Sequence, residues 1–369
     1  MGAIVTSAVR ARVGNSGPGG AAVGPGWLSG ARFDRHFIFT TAAIAILSGV
    51  AVSARPGLFL PVLMLDLWLL GYHHVVSTYT RLCFDADSFR RRRWMIFGLL
   101  PGVFAAVAVI GATAGLWLLA TIYLYWQWFH YTRQSYGIAR AYSRAGSPRS
   151  SEAVAQPGGR FLADPRLEYA VFYLVPLWGI LHRAHQAPET FLGQPVWHPP
   201  VPAAAVDIVA GLALAGLVWW TIGRVVLWRR RQLAAGHTLY VLSHFAVFYT
   251  GYVAIDSIDA GWIALNIWHN AQYIAFVWLQ NNRRFDGTAA QGKAVFLGWL
   301  SQRRNLWAYL AVCLGISTAF YGGLQWTAAA AGIGMAMLMV VYQTVNFHHY
   351  IVDALIWRRP RNTKPQATG

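Results

Sequence analysis

The chain is expected to be all-α: a polytopic membrane helix bundle of about ten transmembrane helices with both termini cytoplasmic. Three observations lead there. Of its 369 residues 56% are hydrophobic and only 12% are charged, a balance unlike that of an ordinary water-soluble domain. Apolar runs of about 18–25 residues recur, long enough as helix to cross a hydrocarbon core of roughly 30 Å. Arginines and lysines collect in alternate connections between those runs, which is the mark of cytoplasmic loops.

Residues 1–35 are glycine-rich and carry Arg10, Arg12, Arg32 and Arg35; with no apolar run, they read as a disordered cytoplasmic tail. The transmembrane helical domain is expected over 36–358 and a second cytoplasmic tail over 359–369. Within the domain, spans are expected at 37–54, 57–80, 94–112, 114–135, 167–184, 203–227, 236–254, 259–281, 306–323 and 328–351. Arg90 to Arg93 follow the second, Arg140, Arg144, Arg149, Arg160 and Arg166 the fourth, and Arg229 to Arg231 the sixth. Arg283, Arg284, Lys293, Arg303 and Arg304 follow the eighth, and Arg358, Arg359, Arg361 and Lys364 the tenth. The alternate loops hold little positive charge: Arg55, Arg183 at one edge, and the acidic Asp256 and Asp259. This asymmetry sets the orientation and points to a bacterial inner membrane.

The net charge of +17 would suggest nucleic acid in a soluble protein. Here the positive residues sit in short loops, no basic domain remains, and nucleic acid is excluded as a partner. Eighteen Trp, 17 Tyr and 19 Phe suit aromatic belts at the membrane surfaces. Cys83 and Cys313 lie in separate segments, so neither a disulfide framework nor a thiolate zinc site is implied.

The histidines are the informative feature. His73 and His74, His130, His237 and His244, His269, and His348 and His349 lie in five apolar stretches. Counted from the nearest cytoplasmic arginine at ~1.5 Å per residue, most lie roughly 10–21 Å inward. Ionisable groups at such depth are costly and mark function. A lone histidine near a helix end is more often a packing residue; five helices and two adjacent pairs weaken that explanation. His237 is two turns from His244, too far to share an ion, and is the weakest of the eight. Asp353 is one turn past His349 and shares its face. Asn266, Gln272 and Tyr273 flank His269 at helical spacing, and Gln127 and Gln134 flank His130. Asp66 stands mid-membrane, seven residues before His73 and on nearly the same face.

Imidazoles with few carboxylates and no thiolates suit iron, copper or zinc rather than magnesium or calcium. The expectation is an oxygen-dependent, histidine-ligated oxidoreductase, with mono- or di-iron the first choice. Asp353, Asp66 and Tyr273 would manage protons. The substrate would be a lipid or isoprenoid drawn from the membrane lipids, and an external donor protein would bring electrons, since no nucleotide-binding loop is present. Tyr72, Tyr125, Trp126, Trp128, Phe129, Trp268 and Phe347 are candidates to line its path.

This pattern of histidines on a cytoplasm-facing, multi-span chain resembles the membrane fatty-acid desaturase and hydroxylase class. That resemblance implies two irons. It extends to no stretch of sequence, because the HxxxH and HxxHH boxes of that class are absent. A looser likeness is to the membrane carotene dioxygenases. Two rival functions stand beside the enzyme: a proton- or ion-coupled transporter using Asp66 and the histidines, and a haem or pigment carrier with His130, His244 and His269 as axial ligands.

Overall fold

The computed structural model describes residues 26–146, 164–285, 295–332 and 334–357. They are almost wholly helical. Helix α1 covers Ala31–Ala54, α2 Pro56–Cys83 and α3 Ala86–Thr113. Helix α4 covers Leu116–Gly146 and α5 Pro165–Gln186. A ribbon of Thr190–Phe191 against Gln194–Pro195 comes next in the proline-rich connection. Helix α6 is Ala203–Arg229, and α7 is Ala235–Tyr249 with a π-helical turn at Thr250–Ala254. Helix α8 is Ile258–Arg284, α9 Val295–Leu300, α10 Leu306–Ala330 and α11 Met335–Ile356.

The first nine expected apolar segments each fall on one long helix; the tenth, expected from 328, begins only at Met335, because α10 runs to Ala330 and Gly332 turns the chain at φ 63°. Five helices, namely α1, α2, α3, α6 and α10, are long and apolar enough to cross a membrane. The others carry more polar residues, and the distribution of those residues is the telling point. Trp307, Trp326, Phe97 and Met335 are exposed, while Asp66, Gln127, His130, His269, Asn270 and Gln272 are buried. A water-soluble bundle arranges these classes the other way round.

At the centre lies α8, buried along nearly its whole length and carrying Asn266, His269, Asn270, Gln272, Tyr273, Asn281 and Asn282 inward. Close approach to it depends on small residues. A side chain at Gly49 of α1 would meet the Cβ of Ala264 at 2.9 Å, and one at Gly261 would collide with the carbonyl oxygen of Gly251. Helices α1, α2, α4 and α7 pack against α8, and α11 reaches it through side chains, Asp353 to Tyr273 among them.

Among the described residues π-helical turns interrupt the long helices at His36–Thr40, Leu67–Gly71, Met95–Leu99 and Thr250–Ala254. Each takes in one extra residue and rotates the remainder of its helix, a device frequent at functional sites.

The N-terminal tail ends sooner than expected. Ala31–Arg35 open α1, and Leu28 and Asp34 are buried. The carboxylate of Asp34 accepts the N–H groups of Leu28, Ser29 and Gly30 at 3.1, 2.8 and 2.8 Å and the hydroxyl of Tyr142 at 2.6 Å. One acid with four donors orders a segment that composition alone makes look disordered. Residues 1–25 and the tail expected over 359–369 lie outside the described residues.

Candidate metal centre

Helix α2 shows how local structure selects one histidine of an adjacent pair. In an unbroken α-helix Asp66 and His73 would share a face. The π-helical turn at Leu67–Gly71 advances the register by one residue, so it is His74 that lines up with Asp66 toward α8. The Nδ1 of His74 donates to the carbonyl of Gly71 at 2.7 Å, which leaves its Nε2 as a lone pair able to ligate.

That atom meets imidazoles from two other helices, and a third imidazole, His130, lies against both of these. The Nε2 atoms of His74 and His349 are 2.9 Å apart. The ring of His269 lies 5.2 Å from that of His74 and 5.0 Å from that of His130, and His130 lies 5.2 Å from His349. Two sets of ligand atoms each fit within 4.8 Å: His74, His269 and His349, and His130, His349 and Asp353. His349 belongs to both. The cluster is thus built by α2, α4, α8 and α11, and all five residues are buried.

Aromatic rings fix the imidazole planes. Tyr131 stacks on His269 at 4.0 Å and Tyr350 on His130 at 4.2 Å. A hydrogen-bonded chain fixes the tautomer of His349. Its Nδ1 lies 2.9 Å from the hydroxyl of Thr78, which lies 2.8 Å from the hydroxyl of Tyr273, which donates to Asp353 at 2.5 Å. Run in that direction, with Nδ1–H donating to Thr78, the chain leaves the Nε2 of His349 as a lone pair facing that of His74. Partners of this kind are what orient histidine ligands in metal sites.

Asp66 joins from one side. Its carboxylate accepts from the amide of Asn266 at 2.5 Å, and the Asn266 carbonyl accepts from Tyr131 at 2.5 Å. Since Tyr131 stacks on His269, a buried carboxylate is linked to a cluster imidazole through two side chains. Its other oxygen, Oδ1, has no partner among the described residues.

The remaining four histidines do not enter the cluster. Pro176 lies inside α5 and has no N–H to give the carbonyl of Phe172 four residues earlier; the Nε2 of His244 donates to that carbonyl at 3.0 Å. With Nδ1 of His244 held by Ser135 at 3.0 Å, both of its nitrogens are used. His348 is similarly engaged, by Tyr79 at 2.9 Å and by the carbonyl of Met95 at 2.7 Å. His237 lies 3.2 Å from Glu168, which also attracts Arg224. His73, turned away by the helical register, has Nδ1 3.3 Å from the carbonyl of Leu69. Gln127 and Gln272 also point elsewhere, to Trp262 and Tyr240.

Sequence reasoning passed over Thr78, Tyr131 and Tyr350. Thr78 sits one turn past His74, a signal that was legible. The two tyrosines are marked only by adjacency to His130 and His349.

The donor set fits a transition metal: four imidazoles, one carboxylate and no thiolate. The Nε2 of His130 and both nitrogens of His269 are buried without a hydrogen-bond partner among the described residues. Such orphaned groups cost about 1–3 kcal/mol each, and a cation accepting the lone pair of His130 and the single lone pair of His269 offsets part of that. The Nε2 atoms of His74 and His349, 2.9 Å apart, are close enough to share one ion.

A cleft of about 740 Å³ opens onto this cluster between α4, α5, α8 and α11, reaching His130, Tyr273 and Asp353. Trp126 and Phe129 line it; Tyr72 instead stacks with Tyr321 at 3.9 Å, and Trp268 belongs to the buried core. No protein-family model, no curated protein and no solved structure matches this chain, so its chemistry rests on the arrangement of its own atoms.

Proposed function

We propose that the chain is a multi-pass protein of a bacterial inner membrane, with ten spanning helices and both termini cytoplasmic, and that it is a histidine-ligated iron oxidoreductase. It hydroxylates, desaturates or cleaves a lipid-soluble substrate with dioxygen. The observation that carries this reading is the convergence of His74, His130, His269, His349 and Asp353 from four helices, with unpartnered nitrogens in a buried site. A carboxylate among imidazoles favours iron over copper, and the apolar cleft at its edge favours a substrate from the membrane over a soluble one.

In this reading a bound iron supplies the activation of dioxygen, and the chain does the rest. His74, His269 and His349 hold the ion. His130 and Asp353 complete the ligand set on the side that faces the cleft, beside the substrate. Tyr273 and Thr78 connect Asp353 to His349 and give a proton a path between carboxylate and imidazole. Aromatic walls exclude water from the reacting face. Electrons come from a separate donor protein docking at the cytoplasmic side.

Elemental analysis and a visible spectrum of the detergent-purified protein test this. Wild type should contain at least one transition metal per chain, and His269→Ala and His349→Ala should lose it. Metal-free protein that keeps full activity would end the proposal.

Asp66 favours a second reading, an ion-coupled transporter, because a buried carboxylate oxygen without a partner suits a transient cation. Solute or proton uptake into proteoliposomes, abolished by Asp66→Asn while metal content is unchanged, would promote it.

A further inference from the structure

Helix α4 carries more than a ligand. His130, Arg133, Gly137, Arg140 and Arg144 succeed one another at spacings of three, four, three and four residues, which places them on one face. All five line the cleft. Arginines near the cytoplasmic end of a spanning helix are common in any membrane protein. These differ because they continue the stripe that begins at the metal centre and open into the same cavity.

The charge in the cleft is one-sided. Asp353, the one acidic residue among its described lining groups, lies at the deep end with His130, whereas the three arginines run toward the mouth. Arg133 and Arg140 are exposed, and neither forms an ion pair among the described residues. Between them Gly137 adds no side chain, and a Cβ there would meet nothing within 4 Å. Tyr136, Tyr169, Tyr173 and Phe276 make the walls apolar. At the deep end stand His130 and Asp353, the cleft-facing side of the metal cluster.

We infer that the cleft binds an amphiphile with one anionic head group, seated at Arg133 and Arg140, whose apolar body runs inward to His130 and Asp353. This rests on the oxidoreductase reading and narrows its substrate class. Arg140 lies ten residues from His130, about 15 Å along the helix axis, so a head group held there sets which part of the apolar body reaches the metal. The guanidinium groups suit carboxylate and phosphate heads alike.

Binding in nanodiscs of zwitterionic lipid tests the inference independently of turnover. The probes are a radiolabelled long-chain carboxylate, the phosphate monoester of the same chain, and its neutral alcohol, with metal content measured on the same samples. At least one anionic probe should bind about tenfold more tightly than the alcohol, and Arg133→Gln/Arg140→Gln should erase that preference without changing metal content. Which anion wins identifies the head group. Equal binding of anion and alcohol to wild type, or a preference that survives the double substitution, would overturn the inference. Preference for the anion in a protein that proves metal-free would uphold the binding site and sink the oxidoreductase reading; metal without preference would do the reverse.

Discussion

The Nε2 atoms of His74 and His349 face each other at 2.9 Å, while the Nδ1 of each ring is held from behind, by the Gly71 carbonyl and by Thr78. Two imidazoles braced in this way present lone pairs to one point. His74→Ala and His349→Ala should therefore each weaken metal binding by well over tenfold, since even removing a supporting partner costs about 10–100-fold. The neighbours supply the control. His73→Ala and His348→Ala should leave metal content unchanged, and elemental analysis that shows equal losses at 73 and 74 would contradict the register set by the π-helical turn.

Thr78 tests the tautomer argument. Thr78→Val removes the hydroxyl that lies between His349 and Tyr273 and should cost about 10–100-fold in metal affinity. Thr78→Ser keeps the hydroxyl and should bind as wild type does. Competition with a chelator measures both, and a valine variant of unchanged affinity would remove Thr78 from the centre.

His244 and Pro176 should be energetically coupled. His244→Phe leaves the Phe172 carbonyl without a donor and should destabilise the protein by about 1–3 kcal/mol. Adding Pro176→Ala restores a backbone N–H to that carbonyl, so the double variant should recover most of the loss. A thermal-unfolding cycle reads the coupling; strictly additive effects would mean that the histidine does not compensate for the proline.

A pH-sensitive tie joins α2, α3 and α8 outside the spans. Asp85 is buried, which raises its carboxyl pKa, but the hydrogen bonds from Ser88 and Arg284, the charge of Arg284 and the Asp87 N–H outweigh burial and hold it below the ordinary value. A depressed native pKa stabilises the fold above the unfolded value of about 3.9, and that contribution disappears as pH falls through the native value. Wild type should lose more thermal stability than Asp85→Asn between neutral pH and acid below about pH 4. Identical pH profiles for the two proteins would refute the tie.

How much of this could be read in advance varies with the physics involved. Helix positions were legible because apolar runs of about 18–25 residues between charged or Gly/Pro-rich connections are too long for strands and read as helix. That the histidines would be buried within the bundle was legible from their place in apolar stretches. Which of them converge was not. His73 and His74 differ by a single backbone insertion at Leu67–Gly71 that no residue announces, and an ideal helix places the wrong one beside Asp66. His244 is explained by Pro176, a residue on another helix 68 positions away; the proline inside an apolar run was the available clue. Asp34 was hidden among arginines, and the arginine stripe of α4 carried only its topological meaning until the cleft gave it a second.

The central helix α8 also constrains how the protein is made. As one of the ten spans proposed above, a segment with so many amides and an imidazole would partition poorly into hydrocarbon when alone, so its release from the insertion machinery would wait for escorts already in place, with α1, α2, α4 and α7 emerging earlier from the ribosome. Two cluster residues, His349 and Asp353, arrive only with α11. A nascent chain halted before that helix would have a half-built cage, and assembly of the centre is thereby delayed until synthesis is nearly over.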